Sequence, residues 1–188
     1  MRRSLRFSEQ AQKYFSFLVE SWGFRLVRDV STLVRFENRQ VYLQVFHGRV
    51  SFEVGLELGL LEDPPDVNFD LSALVEISEP TVGKAYRRPA VREEAALGRA
   101  LQATAELFRT YGRSVVTGDP SVFAQLREVN EARVHALAIG SVAAQARPRA
   151  ERAFKSADYQ TVVDAYSAIE EVLTPVERRK LAYARKKT

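Results

Sequence analysis

The spacing between four strand-like segments constrains this chain more than any other feature. Phe24–Asp29, Leu33–Glu37, Val41–His47 and Val50–Leu58 are rich in β-branched and aromatic residues. The links Asn38-Arg39-Gln40 and His47-Gly48-Arg49 are too short for a parallel crossover, which takes roughly a dozen residues or more. Hairpins remain, so the segments form an antiparallel meander. In the third segment Val41, Leu43 and Val45 share one face, and Tyr42, Gln44 and Phe46 share the other. In the fourth, Phe52, Val54, Leu56 and Leu58 alternate with Ser51, Glu53, Gly55 and Glu57. Both faces of the third segment are rich in large apolar groups, so later helices are expected over the face that the opening helix leaves free. Asp63-Pro64-Pro65-Asp66 ends the sheet, because proline donates no ladder bond. Gly55 and Gly59 read as a bulge.

Helices flank the meander. Ala11, Tyr14, Phe15, Leu18, Val19 and Trp22 make one buried stripe, predicting a helix over Ser8–Trp22. Ser8 is its expected N-cap, and Gly23 the left-handed residue beyond its end. Trp22 is expected to be buried between this helix and the sheet. Further on, Asp70 caps a short helix, Leu71–Ile77, and Glu79–Pro89 reads as a loop. A helix over Ala90–Tyr111 follows, with Leu97, Leu101, Thr104, Phe108 and Tyr111 inward and Gly112 closing it. Asp119-Pro120 starts another, which Pro148 stops or bends near Arg147. Its buried side is expected at Val122, Phe123, Leu126, Val129 and Val134 to Leu137. The fold class is therefore α+β: an N-terminal helix packed on a four-stranded antiparallel meander, followed by several helices. Residues 1–147 read as the core domain, and 148–188 as a helical hairpin with a basic tail.

That hairpin carries Ala150, Ala153, Phe154, Asp158, Tyr159, Val162, Val163, Tyr166 and Ile169, with Pro175 ending the run. Over about 35 residues it resembles a single tetratricopeptide-repeat hairpin. Asp158, Tyr159, Tyr166 and Pro175 match that pattern, whereas Ala157 replaces its usual glycine and Ile169 its usual alanine. Such units gain stability by stacking on neighbours, so the resemblance implies a docking element. An ordinary helical pair accounts for the same residues. Beyond Pro175, apolar surface is confined largely to Leu181 and Tyr183, so that segment reads as dispensable for folding.

Several function classes lose support here. The chain has no cysteine, which removes thiol nucleophiles, thiolate metal sites and disulfides. The basic start, Met1-Arg2-Arg3, leads into no apolar leader segment, and charges interrupt every apolar run. A cytoplasmic location without membrane contact is expected. The two histidines, His47 and His135, have no metal-ligand spacing and read as structural. The adjacent acids Glu62-Asp63, Glu93-Glu94 and Glu170-Glu171 read as solvated, since acid–base pairs need contrasting environments. No catalytic set, cofactor site or metal site is expected.

Charge is uneven. Residues 1–80 hold nine basic and twelve acidic side chains, and residues 81–188 hold nineteen and twelve. The excess gathers at the C-terminus, so the net charge of +4 describes one end of the chain rather than its whole surface. Candidate contacts for an acidic or anionic partner are Arg178, Arg179, Lys180, Tyr183 and Arg185, with a second cluster at Lys84, Arg87 and Arg88. The leading expectation is a non-enzymatic protein-binding module, of the immunity, inhibitor or adaptor type. The alternatives are a nucleic-acid-associated protein using the basic C-terminal helices, and an enzyme with an unfamiliar site. Nothing in the pattern specifies an oligomeric state.

Overall fold

Five antiparallel strands, ordered as in the sequence, form one sheet in the computed structural model, which describes residues 6–64 and 66–188. They are β1 (Arg25–Val30), β2 (Leu33–Glu37), β3 (Val41–His47), β4 (Val54–Leu60) and β5 (Phe69–Asp70). The meander is as expected, but it has five strands rather than four. Pro65 lies outside the described residues; beyond Asp66 the chain returns, and Phe69 pairs with Leu58 before Asp70 caps the next helix. A two-residue strand is too short to leave a periodic signal.

The fourth strand also starts later than Val50. Phe52 adopts φ +58°, a left-handed conformation that breaks a strand. Its carbonyl accepts from the Val91 amide, and the Val54 amide donates to Pro89, so this turn pairs with residues 89–91 instead of β3.

Among the described residues the sheet is accompanied by eight α-helices. The opening helix is two pieces, α1 (Phe7–Tyr14) and α2 (Ser16–Glu20), broken at Phe15. The break shifts the phase: Phe7, Ala11, Phe15, Phe17 and Leu18 are buried, whereas Val19 is half-exposed. Ser8 is not a cap. Its hydroxyl donates to Asp29 on β1, as does the Gln12 amide at 2.8 Å. Gly23 takes φ +73°, as expected. Trp22 is only partly buried, edge-on to Phe17 (5.1 Å) and beside Phe108 (5.6 Å), rather than held against the sheet.

Helix α3 (Leu71–Ser78) is capped by Asp70, whose carboxylate accepts from the Ala73 amide. The expected loop 79–89 contains α4 (Pro80–Ala85). Gly83 makes that turn possible, because a Cβ there would meet Glu76 Cα at 2.4 Å. Helix α5 (Glu94–Tyr111) buries Leu97, Leu101, Thr104 and Phe108. It packs with α1 on one face of the sheet, where Phe15 stacks on Phe36 at 6.5 Å.

The other face of the sheet is closed differently from expectation. Tyr42 lies over Gly59 and Phe46 over Gly55, with Arg88 above Phe46 at 5.1 Å. The glycines make room for these rings, and β3 and β4 pair without a bulge. The sheet's bulge lies in β1, between Leu26 and Arg28.

Helix α6 (Pro120–Lys155) continues through Pro148 instead of ending there. The chain packs as two compact units, Met1–Asn130 and Glu131–Thr188, where the sequence placed its division at Pro148. Phe123 and Leu126 are buried in the first, but Val134 (67% exposed) and Leu137 (76%) are not, contrary to expectation. In the second unit, α7 (Tyr159–Ser167) and α8 (Pro175–Arg185) join the end of α6 around Ala150, Val162, Tyr166 and Leu181. Pro175 opens α8 rather than closing a run. Thr174 and Glu177 form a reciprocal capping box around it.

Candidate functional site

The basic positions expected to meet a partner are largely occupied by the protein itself. Lys84 is exposed and 3.9 Å from Glu76. The Arg87 guanidinium donates to the Lys84 and Tyr86 carbonyls at 2.8 and 2.7 Å. Arg88 lies on Phe46, 3.4 Å from Glu57 and 3.7 Å from Asp70. In the second unit, Lys180 holds Glu151 at 2.7 Å, and Arg185 grips both oxygens of Glu170 at 3.1 and 2.8 Å. Tyr183 packs edge-on to Tyr159, ring centroids 5.6 Å apart, and tilted against Phe154 at 6.0 Å. Arg178 and Arg179 are exposed, with no carboxylate within 4 Å among the described residues. The two clusters belong to different compact units.

Neither histidine heads a site. His47 is buried, stacks on Phe7 at 6.0 Å, and donates from Nε2 to the Val91 carbonyl at 3.0 Å, a bond that fixes its tautomer. His135 is exposed, 3.5 Å from Glu171. Among the described residues no three His, Asp or Glu side chains converge as a metal site would require, and no buried side-chain nitrogen or oxygen lacks a partner. No described helix is long and apolar enough to cross a membrane.

The sheet supplies a different candidate. All six residues of β1 are exposed, including the apolar Leu26 (39%), Val27 (40%) and Val30 (41%). Among the described residues β1 is an edge strand whose one partner is β2, so one side of its backbone keeps N–H and C=O groups that no described strand pairs. The register puts Arg25 opposite Glu37 and Arg28 opposite Arg35, so both β1 arginines share a sheet face. Asp29, opposite Val34, points to the other face, where Ser8 and Gln12 hold it. Arg35 is occupied: it bonds Glu37 at 2.8 Å and stacks on Tyr42 at 3.9 Å. Among the described residues no carboxylate lies within 4 Å of Arg25 or Arg28. At the start of β1, Gly23, Arg25, Glu37, Asn38, Arg39 and Leu61 line a shallow cleft.

In the sequence, clustered charge points to other segments, whereas the significance of β1 lies in its position. The first strand of a meander is an edge, and that signal was available. Compared with known protein families, curated proteins and solved structures, the chain matches none of them.

Proposed function

We propose that this chain is a non-enzymatic protein-binding module that takes an extended segment of another protein onto the β1 edge. The observation that carries the reading is the six-residue edge strand, exposed throughout among the described residues, with three exposed apolar side chains. Free backbone groups on an edge recruit further strands, and although β1 carries charges and a bulge, half of its six side chains are exposed and apolar. Strand addition uses that property: backbone bonds give affinity, and alternate side chains give selectivity.

A second copy of the chain is a poor occupant. Opposed residues in an antiparallel pair share a face, so self-pairing of β1 cannot bring Asp29 opposite Arg28. The resemblance of about 35 residues, in the segment from Arg149 on, to a tetratricopeptide hairpin belongs to the same protein-binding reading. It is supported by the left-handed turn at Ala157 (φ +58°) and the Asp158 cap on Thr161.

Hydrogen exchange on the partner-bound protein tests the reading. Amides of residues 25–30 should gain protection when a partner captured from the native cell is present, and a Leu26→Lys/Val30→Lys variant should lose that partner. Undiminished capture by the variant, without protection at β1, would overturn the proposal.

A further inference from the structure

Resting on the edge-strand reading, we infer that the segment β1 accepts is acidic, with two carboxylates two residues apart that face Arg25 and Arg28. The bulge at Val27 carries this spacing. It removes one residue from the pairing, so Arg25 and Arg28 fall opposite Glu37 and Arg35, successive same-face positions of β2. A regular strand on the open side of β1 presents same-face side chains every second residue, about 6.6–6.8 Å apart. Its side chains at i and i+2 therefore come beside the two arginines.

On the β1–β2 part of that face, charge is unbalanced; farther along, Arg88 already meets Glu57 and Asp70. Arg25, Arg28 and Arg35 stand on the common face of β1 and β2 against one carboxylate, Glu37, which Arg35 already binds at 2.8 Å. Arg28 is moreover directly opposite Arg35, an unfavourable like-charge neighbour in a bare sheet. A carboxylate added beside Arg28 offsets that repulsion, and one beside Arg25 meets a guanidinium with no partner of its own among the described residues. A basic segment would add a fourth and fifth cation to the same face. Between the acids, an apolar residue falls on the opposite face beside the exposed Leu26. Across from Val30, which shares the arginines' face, a second apolar residue is favoured.

Synthetic peptides test the inference on the full chain by fluorescence anisotropy. The probe is a labelled dodecapeptide with a central Val-Thr-Glu-Val-Glu, compared with versions carrying lysine or glutamine in place of both glutamates. Two further versions are N-methylated at alternate residues, one in each register. The glutamate peptide should bind about tenfold or more tighter than the lysine peptide at low salt, with the gap narrowing as salt rises. An Arg25→Glu/Arg28→Glu variant should reverse the order, a gain that misfolding could not produce. One N-methylated register should abolish binding and the other leave it intact. If all three charge versions bind alike while one N-methyl register abolishes binding, strand addition survives and the acidic preference falls. If the glutamate peptide ignores N-methylation in both registers, attraction is purely ionic and both claims fall. No binding of any version at millimolar concentration also overturns both.

Discussion

Two glycines and two aromatic rings set the character of the sheet's second face. A Cβ at position 55 would come within 2.4 Å of Phe46 Cζ, and one at position 59 within 2.7 Å of the Tyr42 ring. Gly55→Ala should therefore cost about 1–3 kcal/mol, the usual range for overpacking. Replacing Phe46 by leucine as well should recover part of that loss. Chemical denaturation of the two single variants and the double variant measures the coupling, and strictly additive losses would mean that the ring swings aside freely. The sequence could not distinguish this arrangement from a bulge, because a glycine within a strand fits either. Only the register, Phe46 opposite Gly55 and Tyr42 opposite Gly59, decides. Gly23 was legible for the opposite reason, since a glycine just past a helical stripe has one common use, and it takes φ +73°. Ala157 shares the left-handed region without being glycine. Ala157→Gly should relieve about 1 kcal/mol of backbone strain, and calorimetry of the variant should register a higher Tm.

Among the elements, α8 departs furthest from its reading in the sequence. Its sparse apolar surface reads as dispensable for folding, yet Leu181 and Ala184 are buried and Lys180 clamps Glu151. Truncation after Pro175 should accordingly unfold the second unit rather than spare it. Hydrogen exchange across residues 150–167 should lose its protection, and retained protection would show that α8 is dispensable. Acid should weaken the same unit. The Lys180 ammonium and then the Tyr166 hydroxyl, both donating to Glu151, hold its carboxyl below the ordinary glutamate range. A carboxyl depressed in the folded state stabilises fully above its unfolded value and loses that contribution as pH falls through its folded one. The Tm should thus decline as pH drops below about 4.5, with a shallower slope in Glu151→Gln. Long periodic elements such as α5 were readable, and so were strands β2 and β3, whose bounds coincide with the expected ones. The breaks at Phe15 and Phe52 were not, because each depends on backbone angles that packing imposes on residues with no turn preference.

At the scale of the whole molecule, net positive charge is a weaker guide to partners than the sequence suggested. Of the six cations in the final eleven residues, Lys180 and Arg185 are committed to Glu151 and Glu170. Arg178, Arg179, Lys186 and Lys187 remain, so binding to duplex DNA should show a log–log salt slope no steeper than about −3.6. It should also be weak near 0.15 M salt. Submicromolar binding there, abolished by neutralising Arg178 and Arg179, would favour a nucleic-acid partner over the edge-strand reading. The α+β class and the order of the elements were legible from spacing and periodicity. The edge position of β1 was legible in that order, but its three exposed apolar side chains were not, because exposure of a strand is a property of the assembled sheet. Trp22 is held beside Phe17 and Phe108. It is the chain's single tryptophan and lies in the first unit, whereas Tyr159, Tyr166 and Tyr183 lie in the second. Indole emission is consequently a built-in optical reporter for residues 1–130 alone, and melting of the second unit passes unseen unless the tyrosines are followed as well.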